Sequence, residues 1–311
     1  MHVSISFLLD ICAAMLQLIA YIFVYPFIVL ISILPFRILY LLSDGLFFIL
    51  YHVLGYRKKV VMNNLKIAFP DKPEAELKKI RKEFFHHFLD IFMEMIKTFS
   101  ISNEEILRRF KLTNPEELKE FMDKHENILL MSSHYGNFEW LFSLNLRVEH
   151  HGFAAYKKVK NKYFNDYIVR SRSKFNTTLV PTKQLIEQLA KNDATGERYV
   201  YGMLVDQSPK LHKAYHWSNF FGVEVPVITG TEMLAKKYDY AVMYIETTKI
   251  RRGFYETKME ILSENPREVP DFGITDLFMK KLEAHITREP SYYFWSHKRF
   301  KHMRLNKDQE N

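Results

Sequence analysis

Apolar residues fill the first sixth of the chain in long runs and afterwards recur in short bursts separated by charged stretches. From Ile11 to Phe36 there are 26 residues without a formal charge, enough as a helix to cross a hydrocarbon core of about 30 Å. Pro26 is expected to kink this run and Pro35 with Arg37 to end it. Ile38 to Leu54 is also apolar, interrupted by Asp44 and Gly45, and reads as an interfacial helix continuing the anchor. A hairpin lying in the interface is the alternative to a spanning helix. A cleaved signal peptide fits poorly, because no basic residue precedes the run and the run exceeds an ordinary signal core.

Between Pro73 and Ser100 the pattern turns amphipathic, with Phe84, Phe85, Phe88, Leu89, Phe92, Met93 and Ile96 on a broad stripe that fits core packing. Asn114-Pro115 starts another helix. Beyond it, β-rich bursts alternate with helical stretches. The predicted strands are Ile128 to Ser132, Gly152 to Tyr156, Thr178 to Val180, Tyr199 to Val205, Ala241 to Glu246 and Phe254 to Leu262. The predicted helices between them are Lys162 to Phe175, Thr182 to Asn192, Thr229 to Lys237 and Asp271 to Arg288. This alternation predicts an α/β fold: a mixed, mostly parallel sheet flanked by helices, with an N-terminal helical membrane anchor. The expected division is 1–56 for the anchor and interfacial helix and 57–311 for an α/β domain.

Composition adds direction. The chain is 48% hydrophobic with a formal net charge of +8, which excludes a disordered chain and favours an anionic partner. Cys12 is the only cysteine, so no internal disulfide, Cys-rich zinc site or redox pair is available. Lys and Arg are absent before the apolar run, whereas nine follow between Arg57 and Lys82. The positive-inside rule therefore places the large C-terminal part in the cytoplasm.

One segment carries chemistry. The apolar run Ile128 to Ser133 ends at His134-Tyr135-Gly136-Asn137-Phe138-Glu139-Trp140. Positions five apart diverge by about 140° around a helix, so His134 must precede the helix that holds Glu139. Gly136 permits a tight turn and Asn137 can cap the helix. Glu139, in the first turn, is then expected to reach back toward the imidazole, fixing its tautomer while His134 takes a proton from a hydroxyl.

The chain resembles the lipid A biosynthesis acyltransferases, the late lauroyl/myristoyl transferases, over nearly its whole length. The matching pieces are Leu41-Leu42-Ser43-Asp44, Leu54-Gly55-Tyr56-Arg57, Asn64-Leu65 to Ala68-Phe69-Pro70, the His134 to Glu139 block, Phe220-Phe221-Gly222, Thr229-Gly230 and Phe294 to Lys301. The Phe-Pro-Glu-Gly-Thr element of the glycerol-phosphate acyltransferases is absent. The resemblance implies His134 as general base and Glu139 as its orienting partner, acting on a fatty acyl thioester with no metal, no cofactor and no covalent enzyme intermediate. It places Arg170 and Arg172 in an arginine block that binds phosphate or the thioester oxyanion, against the alternative of a solvated helix face. Asp206, before Gln207 at a strand end, matches an acidic position that shapes the site mouth, or simply a strand-end turn. Lys157, Lys158 and Lys160 depart from the family pattern.

Two basic clusters, Lys157 to Lys174 and His297 to Lys307, could serve substrate binding, with Lys157 and Lys158 contributing point charges; such rows are otherwise solvated faces. The expected donor is an acyl carrier protein or acyl-coenzyme A thioester, and the expected acceptor an anionic glycolipid or phospholipid hydroxyl. Nucleic acid is not an expected partner, since no reading motif is present. The alternatives are the same chemistry on a lysophospholipid, aminolipid or polyene-type acceptor, and a non-enzymatic membrane-tethered lipid-binding protein.

Overall fold

A computed structural model describes residues 5–304, with the side chains of residues 5–14, 16 and 19 outside the description; the Cys12 side chain and Lys307 therefore fall outside it. The helices are α1 (Ile5–Ile33), α2 (Phe36–Phe47), α3 (Lys58–Ala68), α4 (Glu74–Lys97), α5 (Asn103–Arg109), α6 (Pro115–Lys124), α7 (Lys162–Ser173), α8 (Leu185–Asp193), α9 (Gly230–Tyr238) and α10 (Gly273–Arg288). The strands are β1 (Phe110–Leu112), β2 (Asn127–Ser132), β3 (His151–Tyr156), β4 (Thr177–Pro181), β5 (Tyr199–Leu204), β6 (Trp217–Phe220), β7 (Val223–Pro226), β8 (Ala241–Arg251) and β9 (Phe254–Ser263). A seven-stranded sheet runs in the order β1-β9-β8-β2-β5-β3-β4, parallel except for the β8–β9 hairpin, while β6 and β7 form a separate two-stranded ribbon.

Side chains alternate across a strand, and β2 shows the consequence. Leu129 and Met131 enter one core with Tyr201, Val242, Phe278 and Ile286, whereas Ile128 and Leu130 enter the other with Trp140, Leu144, Val200 and Met243. Covering both faces explains why β2 reads as an unbroken apolar run.

The apolar N-terminus differs in detail from expectation. α1 runs unbroken through Pro26, and the chain breaks only at Leu34-Pro35. α2 continues through Asp44 and Gly45 into a π-helical turn, Phe48–Val53. Asp44 is tolerated because Arg252 clamps its carboxylate, at 2.7 and 3.1 Å, and holds Asp90 as well. Among the described residues, Phe36–Val53 is the helical run long and apolar enough to cross a membrane. α1 packs on the domain through Tyr21, which stacks on Tyr163 of α7, and Tyr25, which meets Tyr167 edge to face. Outward-facing Phe23, Phe27, Leu41, Phe48 and Val53 make an apolar belt along α1, α2 and the turn after it, Leu41 being 70% exposed.

Candidate active site

Two neighbouring parallel strands end in register here. Ser132 of β2 pairs with Leu204 of β5, so the residues two positions beyond each strand, His134 and Asp206, emerge side by side at the C-terminal edge. That edge is where open α/β sheets build their sites. His134 Nδ1 lies 2.7 Å from Asp206 Oδ1. The orienting hydrogen bond expected from Glu139 is thus made by Asp206, which is 1% exposed and faces the imidazole rather than the site mouth.

Burial opposes a charge on His134, but the adjacent Asp206 carboxylate, helped by Glu139, outweighs it and holds the imidazole above its ordinary value. Burial likewise acts against the Asp206 carboxylate, yet the imidazolium and backbone N–H groups keep it below the usual range. Phe138 and Phe294 pack against the imidazole with centroids at 4.9 and 5.5 Å, and the Gln207 amide nitrogen flanks Nε2 at 3.4 Å.

The turn after His134 follows the expected logic with one change. Asn137 caps the next helix by accepting from the Trp140 N–H, but that helix, Phe138–Leu146, is 3-10 rather than α. Glu139, the second residue of this helix, faces α7, where Arg172 donates to both carboxylate oxygens at 2.7 to 3.1 Å. Arg170, two residues earlier on α7, points elsewhere: it is exposed and interacts with Tyr21 of α1. Lys157 and Lys158 stand exposed on the loop after β3. The structure therefore gathers His134, Asp206, Glu139 and Arg172, and leaves Arg170, Lys157 and Lys158 outside that cluster.

Several supports lay beyond sequence reasoning. Asn137 donates to Glu94 at 2.6 Å, and the hydroxyls of Tyr40 and Tyr255 donate to the same carboxyl. Burial, with Asp90 nearby, pushes Glu94 up to about 7. The C-terminal segment Pro290–Phe300 straps the site: Phe294 N–H donates to the His134 carbonyl and Gly136 N–H to the Tyr292 carbonyl. Gly136 has φ +58°, and a Cβ there would meet the Thr247 carbonyl at 3.2 Å, so the turn requires glycine. Asn64 holds the strap through the Trp295 and His297 carbonyls, and Arg57 through that of Ser296. Behind Asp206, Tyr293 interacts with both Asp206 and Arg299. Arg299 is 1% exposed and forms no ion pair among the described residues, donating instead to Ser208 Oγ and the Pro226 carbonyl.

Beside His134 an apolar slot of about 80 Å³ runs between the sheet and the 3-10 helix. Ser132, Leu204 and Phe138 form its upper end; Val200, Asn145 and Thr177 form its lower end. It exists because Gly202 and Ala154 replace bulky side chains on this face, and a Cβ on Gly202 would meet only the Phe153 carbonyl, at 3.9 Å. Asn145 donates to Thr177 at 2.8 Å, making the floor polar.

A parallel sheet presenting a buried imidazole–carboxylate pair next to an apolar slot has the parts of an acyltransferase. A family model described as bacterial lipid A biosynthesis acyltransferase matches residues 11–302, and the chain belongs to that family. It is similar to the lipid A biosynthesis lauroyltransferase of Escherichia coli (strain K12), with 25% identity over 271 residues, covering 86% of this chain and 87% of that protein.

Proposed function

We propose that the protein is a membrane-bound O-acyltransferase that moves a fatty acyl chain from a carrier-protein or coenzyme A thioester to a hydroxyl of a lipid A-type glycolipid precursor. The observation that carries the mechanism is the 2.7 Å His134–Asp206 contact. Nδ1–H donates to Asp206, and the acceptor hydroxyl takes the place of the Gln207 amide, 3.4 Å away, at the Nε2 lone pair. Nε2 takes the hydroxyl proton as the oxygen attacks the thioester carbonyl. The tetrahedral intermediate collapses with cleavage of the C–S bond, and the imidazolium returns its proton to the leaving thiolate. Glu139 and Arg172 brace the turn and set the local field. The apolar belt of α1 and α2 seats the protein in the cytoplasmic leaflet of the inner membrane, with residues 57–311 in the cytoplasm.

Purified enzyme given acyl thioester and an under-acylated lipid A precursor is expected to add one acyl mass to the lipid. Thioester hydrolysis without lipid acylation, with either donor, would sink the acceptor assignment. The slot supplies a second test. Val200 to Leu204 spans about 13 Å at ~3.3 Å per residue, and the 3-10 helix above, with weaker hydrogen-bond geometry than an α-helix, is the wall that yields to a chain. Gly202→Val is expected to shift donor preference to shorter acyl chains, read by competition among thioesters of graded length; an unchanged preference would place the chain elsewhere.

Activity should rise with pH through a value above the ordinary ~6.5 of histidine, since the base must be neutral and its imidazole is held up. The His134–Asp206 pair titrates as a unit, and Arg299 is the buried cation behind it. Removing that charge with Arg299→Met makes the pair bind its proton more tightly, so the acidic limb of kcat/KM moves to higher pH, whereas Arg299→Lys leaves it in place. A limb fixed in both variants would make Arg299 purely structural.

A further inference from the structure

On the side of the sheet away from β3 and β4, the β8–β9 hairpin reaches past the C-terminal edge and seats its tip on α2. Gly253, at φ +74°, is required there, because a Cβ would lie 2.0 Å from the Tyr40 hydroxyl and 2.9 Å from Arg109 Nη1. Three guanidinium groups surround the Phe254 ring: Arg251 at 3.9 Å from its centroid, Arg109 at 4.5 Å and Arg108 at 5.3 Å. With Lys111 they line an open pocket of about 310 Å³. Glu105 holds Arg108 and Arg109, and Glu256 is the acid within the lining. Four cations against these two carboxylates leave a surplus of positive charge in a small volume. Like charges gathered this closely repel, and stacking on one aromatic ring offsets only part of that cost.

The position of the pocket identifies its ligand. Arg109 also lies 3.5 Å over Phe36, the first residue of α2. On either side of Phe36 the chain presents exposed Ile33, Arg37, Ile38 and Leu41, the start of the apolar belt. Ile250, at the hairpin itself, is 54% exposed. A basic concavity joined to an apolar surface matches the level at which lipid phosphates meet acyl chains. We propose that the pocket formed by Arg108, Arg109, Lys111 and Arg251 binds the headgroup phosphate of an anionic phospholipid in the leaflet that receives α1 and α2. This rests on the membrane reading of those helices. The pocket is separate from the His134 site, since none of its four cations touches His134, Asp206, Glu139 or Arg172.

The test is native mass spectrometry of the detergent-purified full chain titrated with phosphatidylglycerol and, in parallel, with phosphatidylcholine. Phosphatidylglycerol is expected to bind more tightly than phosphatidylcholine. Lys111→Ala with Arg251→Ala is expected to weaken phosphatidylglycerol binding about 25-fold, roughly fivefold per charge, without changing phosphatidylcholine binding, while Lys280→Ala, at an exposed position of α10, changes neither. Equal affinity for the two lipids, or no loss in the double variant, would overturn the site. Displacement of the lipid by millimolar inorganic phosphate would overturn it in favour of a soluble phosphate ligand. A raised KM for the carrier-bound donor with lipid binding intact would assign the pocket to the acidic carrier instead. Carbonate washing of native membranes tests the helices separately: release of wild-type protein would sink the membrane reading, while the titration still reports on the pocket.

Discussion

His134→Ala is expected to lower turnover by 10²–10⁴-fold, the loss typical of a removed general base, with the fold intact because the ring is only part of the packing around Phe138 and Phe294. Asp206→Asn should follow closely, approaching the same loss, since an amide no longer enforces the tautomer that leaves Nε2 free. Residues acting as a unit lose their effect once, so the double variant should be no slower than the worse single one. Circular dichroism and single-turnover kinetics decide the matter. Wild-type turnover in either single variant would remove that residue from the mechanism, and strictly multiplicative losses would show that the two act apart.

The second large effect concerns Glu139 and Arg172, an ion pair whose side chains are 11% and 18% exposed. Arg172→Met leaves a largely buried carboxylate without its cation, which should destabilise the protein by roughly 3 kcal/mol, the lower end for breaking a buried pair. The freed Glu139 charge also raises the proton affinity of His134, so the acidic limb of activity moves to higher pH. Arg172→Lys keeps the charge but cannot span both carboxylate oxygens and should fall between wild type and Met. Combining Arg172→Met with Glu139→Gln removes the orphaned charge and should restore part of the Tm. If the double variant is less stable than Arg172→Met alone, the pair is not the source of the loss.

The sequence displays whatever depends on neighbours along the chain. The apolar run of β2, the glycine turn and the Asn137 cap are local, and the structure contains them at the expected positions. The β8 and β9 strands were visible in part, but β1 and the β6–β7 ribbon, of three and four residues per strand, are too short to generate a pattern. The partner of His134 was hidden for a different reason. Choosing Asp206 over Glu139 requires the strand order, because only the adjacency of β2 and β5 places the two strand ends together. Glu139 is near the imidazole in sequence, but the arginine that claims both its oxygens, Arg172, lies 33 residues on, in α7. The slot was equally invisible, as Gly202 and Ala154 acquire meaning only once both are seen on one face.

The register that joins Ser132 to Leu204 also governs when the protein becomes competent during synthesis. Asp206 follows His134 by 72 residues, and the strap that holds the His134 carbonyl arrives only with Phe294, another 88 residues on. Contacts so distant along the chain close late, after the loop-closure entropy of intervening segments has been overcome. If the first helices seat in the membrane as proposed, a nascent chain already sits among lipids while its imidazole has no tautomer lock and its turn no brace. On the proposed mechanism such a chain is expected to stay silent until translation is nearly complete, so that it does not squander activated acyl groups.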